Sequence, residues 1–183
     1  VSWEALATEI RGCTACSELA AARDQVVVGE LPPGARLVLV GEAPGAQEDL
    51  EGRPFVGRAG QLLDRLLGEA GLARAEVGVL NTLKCRPPAN RAPKTQELAQ
   101  CRPWLERQLA FTGDALLVAL GGTAVGWFFG RGARIGALRG TVADVGGRRV
   151  LPTYHPSAAL RFGPYGAPMA ALREDLALAA SLL

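Results

Sequence analysis

Four cysteines, one histidine and two asparagines are the residues of this chain best suited to chemistry, and their scarcity makes their placement informative. Cys13 and Cys16 form a C-x2-C pair that can chelate through one turn, while Cys85 and Cys101 flank a Pro/Arg loop and can complete a four-thiolate site. Buried free thiols are one competing explanation, but the short pair argues against it. Disulfides are another, and an expected cytoplasmic, reducing location without a recognisable signal peptide argues against them. Structural zinc often uses two short pairs. Here fifteen residues separate Cys85 from Cys101, a spacing that suits an iron-sulfur cluster somewhat better without deciding between the two.

The other candidates lie at the ends of predicted strands. Arg36–Val40 is a short apolar run that stops at Gly41, as a strand buried on both faces does. Val77–Leu80 ends at Asn81, Ala115–Leu120 ends at Gly121-Gly122, and Arg149–Thr153 leads to His155. Between them the spacing predicts helices over Gly57–Ala70, with Leu62, Leu63, Leu66 and Leu67 on one face, and from an N-cap at Thr95 to about Leu109. An apolar helix should follow Gly122, a hairpin-like excursion should occupy Arg131–Arg149, and Ala167–Leu182 should close the chain as a helix. Alternating strands and helices imply an α/β fold of three layers, α/β/α, around a mostly parallel sheet, with right-handed crossovers. At 183 residues, 49% of them hydrophobic, the chain reads as one domain over 1–183, and no apolar run reaches membrane-spanning length.

In such sheets ligands bind beyond the carboxyl ends of the strands. Glu42, Asn81, Gly121 and His155 should therefore share one rim. Gly41-Glu42-Ala43-Pro44-Gly45 is a tight turn that lets backbone approach a ligand and offers one carboxylate. The Asn81 amide donates and accepts side by side, which complements O4 and N3–H of uracil and opposes the amine and N3 of cytosine. Phe55 can stack on a base or sit in the core. Net charge is only +2, yet Lys84–Lys94 contains Lys84, Arg86, Arg91 and Lys94 and no acid, a pattern suited to phosphates.

These segments together resemble the uracil-DNA glycosylase superfamily, and most closely its family 4, the thermostable iron-sulfur branch. The resemblance is carried by Gly41–Gly45 with Glu48-Asp49, by Gly52-Arg53-Pro54-Phe55-Val56-Gly57, by Asn81–Pro88 continuing to Asn90-Arg91, and by His155-Pro156-Ser157. It implies a 4Fe-4S cluster on Cys13, Cys16, Cys85 and Cys101, removal of uracil from DNA with free uracil as product, and a monomeric soluble enzyme. It also implies roles: Phe55 stacks on the flipped base, Asn81 reads its edge, His155 donates to O2, and Glu42 orients water or stabilises the oxocarbenium-like sugar.

Another branch of the superfamily has an Asp water activator where this chain has Ala43, which makes Glu42 the nearest replacement. That branch also has an aromatic residue against the 5-methyl of thymine where Gly45 stands, and Glu48 becomes the candidate for excluding thymine. Asn90 is expected either to brace Asn81 or to shape its loop. Ala158–Phe162 is expected either to supply a wedge into the vacated stack, with Leu160 or Arg161 at its tip, or to be a plain connector. A glycosylase for another deaminated base, or a non-catalytic redox-sensing DNA-binding protein, are the alternatives.

Overall fold

Leu37–Gly41 (β1), Gly78–Asn81 (β2) and Leu116–Leu120 (β3) are buried at every position, as strands covered on both faces must be. In the computed structural model, which describes all 183 residues, they join Ala143–Val145 (β4) and Arg148–Thr153 (β5) in one sheet of order β2-β1-β3-β5-β4. All neighbours run parallel except the β4–β5 hairpin. Gly146 and Gly147, both at positive φ, make its turn, the backbone that a two-residue hairpin needs.

The helices are Trp3–Arg11 (α1), Ser17–Ala22 (α2), Ala46–Glu51 (α3), Arg58–Glu69 (α4), Thr95–Leu109 (α5), Gly122–Phe129 (α6), Ile135–Leu138 (α7), Pro156–Phe162 (α8) and Ala167–Ser181 (α9). Side chains alternate along a strand, so β1 sends Leu37 and Leu39 to one core and Val38 and Val40 to the other. The first core is closed by Leu62, Leu63, Leu66 and Leu67 of α4 and by Leu172 and Leu176 of α9. Leu105 of α5 and Val125 of α6 close the second. These are the three expected layers, and no helix is long and apolar enough to cross a membrane.

Local expectations needed three corrections. Thr95 is the first residue of α5 rather than its cap: the cap is Lys94, whose amide donates to Glu97 Oε2 at 2.8 Å. The excursion over Arg131–Arg149 is hairpin only from β4 onward, because α7 comes first. Ala158–Phe162, expected as a wedge or a plain connector, is most of helix α8.

Register fixes the rim. Gly41 pairs with Asn81 across β1 and β2, and Leu120 pairs with Thr153 across β3 and β5, so the chain leaves the sheet at adjacent points toward Glu42, Gly121 and His155. Leu83 and Thr82 then donate their amides to the carbonyls of Glu42 and Gly41, tying the two exits together.

Candidate active site

At this rim lies a cavity of about 380 Å³ lined by Ala43, Glu48, Phe55, Asn90 and His155, with Gln47 and Arg58 at its edge. Phe55 is buried at 6% exposure and adopts φ 51°, a backbone conformation that bulky residues avoid. Three neighbours hold it there. Arg74 donates to the carbonyls of Phe55 and Pro54 at 3.1 and 2.6 Å. Gly60 of α4 lies so close that a Cβ would stand 1.9 Å from Phe55 O, and Gly41 leaves the room in which Phe55 and Asn81 meet. A Cβ on Gly41 would lie 2.5 Å from Phe55 Cζ and 2.6 Å from Asn81 Oδ1.

Asn81 is 2% exposed, and its Oδ1 is a buried acceptor with no partner in the protein. Buried acceptors are paired almost without exception, and an orphan is costly. Asn81 stands behind the cavity lining, next to Phe55, and Oδ1 keeps its capacity to accept from a donor brought there. The Asn81 backbone carbonyl, by contrast, accepts from Lys84 Nζ at 2.6 Å.

His155 caps α8, and its Nδ1 accepts the Ser157 amide at 3.0 Å. A nitrogen that accepts carries no proton, so the neutral ring is protonated at Nε2. Burial pushes the imidazole pKa down to about 4, partly offset by the Glu48 carboxylate, while one edge of the ring stays open to the cavity. Its centroid is 5.4 Å from that of Phe55, with the planes inclined by 31°. Gly121, at φ 88°, permits this placement, since a Cβ there would come within 2.8 Å of His155 Cβ.

The two carboxylates differ in function. Glu48 accepts three backbone amides, from Gly45, Val56 and Gly57, at 2.9, 3.0 and 2.6 Å, and so pins the Phe55 loop to α3. With its oxygens committed, it serves the pocket as a brace. Glu42 stands beside the cavity rather than in its lining and accepts from the Thr123 hydroxyl of α6. Thr123, Arg74 and Arg58 were not singled out from sequence. Thr123 directly follows the Gly121-Gly122 turn, the signal in the sequence nearest to it.

All four cysteines line one small cavity behind this site, together with Lys84 and Trp104. Trp104 Nε1 donates to Cys13 Sγ at 3.3 Å and Arg23 Nη1 donates to Cys85 Sγ at 3.1 Å. Burial raises the thiol pKa values of Cys16, Cys85 and Cys101, the last to about 11, against the lowering effect of Lys84. A bound metal reverses that balance and takes the sulfurs as thiolates. No three Cys, His, Asp or Glu side chains converge closely enough to hold a single ion. The four sulfurs share one small cavity, with N–H donors already aimed at two of them, a donor set suited to a thiolate-ligated group.

The basic loop departs most from expectation. Lys84 is 1% exposed and cannot touch a phosphate. Arg91 forms two bonds to Glu97, at 3.0 and 2.6 Å, and one to Glu18 at 3.2 Å, while Lys94 Nζ binds Glu18 at 2.7 Å. Acids from α2 and α5 neutralise a run that contains none itself. Arg86 donates to Asn90 Oδ1 at 2.7 Å, so Asn90 shapes the loop and does not brace Asn81. Leu160 is partly buried and packs against the core. Arg161 is exposed beside it, and Phe162 and Tyr165, 63% and 100% exposed, are the projecting apolar groups of that segment.

A family profile described as "Uracil DNA glycosylase superfamily" matches residues 28–177. The type-4 uracil-DNA glycosylase of Thermotoga maritima is 46% identical over 160 residues, covering 86% of this chain and 83% of its own. That of Saccharolobus solfataricus is 39% identical over 179 residues, covering 93% and 81%. A type-5 uracil-DNA glycosylase of Mycobacterium leprae is 32% identical over 194 aligned residues, with 83% of each chain covered. With matches of this extent over the same strands that carry Gly41, Asn81 and His155, the chain belongs to the uracil-DNA glycosylase superfamily and, within it, to the type-4 enzymes.

Proposed function

We propose that this protein hydrolyses the N-glycosidic bond of uracil in DNA, releasing free uracil and leaving an abasic site, the first step of base-excision repair. The observation that carries the reading is the orphaned Asn81 Oδ1 beside a locked aromatic ring. Uracil presents N3–H to that oxygen and O4 to the amide nitrogen; cytosine has an acceptor at N3 and a donor at C4, and matches neither.

The target bond is unreachable inside the stack, so the nucleotide must be extruded, and stacking on Phe55 offsets the unstacking cost of a few kcal/mol. As the C1′–N1 bond breaks, its electron pair moves onto the base and reaches O2, where the Nε2–H of neutral His155 donates. Positive charge develops on the sugar. Glu42, oriented by Thr123, stabilises it and takes the proton as water bonds to C1′. Cleavage of single-stranded oligonucleotides carrying U, T or hypoxanthine tests the proposal: U alone should be released, and release of hypoxanthine at a matching rate would reassign the substrate.

We assign a 4Fe-4S cluster to Cys13, Cys16, Cys85 and Cys101. Their shared cavity and the N–H···S bonds support it. When bound, the cluster cross-links the N-terminal helices to the loop after Asn81 and to α5. Purified protein should be yellow-brown with iron and sulfide in equal amounts, and one zinc in a colourless protein would overturn the assignment.

The DNA backbone is assigned to Arg58 at the cavity mouth, Arg86 and Arg161, none of which has an acidic partner. Replacing one of them by Ala should lower the slope of log affinity against log salt by about one counterion. Arg91→Ala should leave the slope where it was, because its charge already belongs to Glu97 and Glu18. One sheet with a core on either face supports a single catalytic domain.

A further inference from the structure

Lys84 is the largest fully buried side chain of the molecule and forms no ion pair with any carboxylate. A buried ammonium without compensation is costly, so its charge must be balanced from another source. Its single hydrogen bond goes to the Asn81 carbonyl at 2.6 Å, and it lines the cysteine cavity. That cavity holds no carboxylate; its four cysteine sulfurs, thiolates once the cluster is bound, are the anions at hand to offset Lys84. The turn that carries it is held on its other side by the backbone of the β1 exit, through Thr82 N to Gly41 O and Leu83 N to Glu42 O, both 2.9 Å.

We propose that Lys84 is a positioning residue that couples the thiolate cage to the base-reading edge, its ammonium balancing the sulfur charge and holding Asn81 in register with the pocket. The inference rests on the uracil pocket and the cysteine cluster proposed above. Lys84 touches neither the base nor the scissile bond. It acts through Asn81: without the ammonium, a second buried oxygen of that residue loses its partner, and the strand end that presents Oδ1 is free to shift. The sulfurs lose a nearby cation at the same time.

The test compares cluster-loaded wild-type protein with Lys84→Met, which keeps the length of the side chain and removes the charge. Loss of the cation raises the thiolate donor levels, so the visible sulfur-to-iron absorption should move to longer wavelength. The Kd for free uracil should rise roughly tenfold. A change of packing alone would not move the absorption band. The chain has only two lysines, which allows a second measurement on wild-type protein that does not depend on the variant folding. With lysine side-chain nitrogen isotopically labelled, adding uracil should shift the Lys84 signal and leave Lys94 in place. An unmoved Lys84 signal in protein that binds uracil, or an unchanged band in Lys84→Met, would overturn the coupling. Wild-type protein that holds iron but binds no uracil would instead overturn the pocket, with the absorption band still deciding the link to the sulfurs.

Discussion

Asn81→Asp is expected to lose most uracil excision, by about 1–3 kcal/mol of transition-state binding, or roughly ten- to a hundredfold in kcat/KM. The change replaces the amide donor facing O4 with an acceptor at a residue only 2% exposed. The same change makes the edge complementary to the exocyclic amine of cytosine, so slight cytosine excision should appear. Asn81→Ala should lose the first activity and gain nothing. The two variants thus separate edge reading from simple filling of the site, and single-turnover assays on U- and C-containing strands measure both. Full uracil excision by Asn81→Asp would show that another residue reads the base.

His155→Ala should lower turnover by about a hundred- to a thousandfold, the usual loss for one oxyanion donor, while affinity for DNA changes far less. The difference arises because the bond to O2 strengthens only as charge arrives there. The pH profile is a sharper test. Burial holds the folded imidazole at about 4, below its ordinary 6.5, so the Nε2–H tautomer persists down to about pH 4. kcat should show no acid limb near pH 6.5 from this residue, and a limb there would mean that it works as a charged acid. Stability follows the same shift. The unfolded chain binds the proton first, so the contribution of neutral His155 is fully present above about pH 6.5 and is lost progressively as pH falls toward 4.

The sheet and its rim were legible in the sequence because fully buried parallel strands leave continuous apolar runs, and because Asn81 and His155 are rare residues placed at the ends of two of them. The four cysteines were found through their spacing, and the places of Phe55 and Ala43 through the resemblance that their turns carry. What escaped was everything that depends on a partner distant in sequence. Lys84–Lys94 contains no acid, but Glu18 is 73 residues from Arg91 and lies against it in space. A local charge count cannot see that neutralisation. Lys84 looks like any loop lysine until the fold encloses it, and Glu48 looks like a free pocket carboxylate until three amides are found on it. Arg74 and Thr123 fail for a related reason: residues that orient other residues have no motif of their own.

The fastened Phe55 loop bears on the timing of base capture. Arg74, Gly60 and Glu48 hold the stacking ring in a disfavoured backbone conformation before any ligand arrives, so no ordering entropy remains to be spent there when a nucleotide swings out. A finished surface of this kind selects among conformations that the nucleic acid visits by itself. The waiting time before capture is then a property of the DNA, shortest at mismatched, frayed or single-stranded sites, and a lesion is sought by how readily its own helix lets it go.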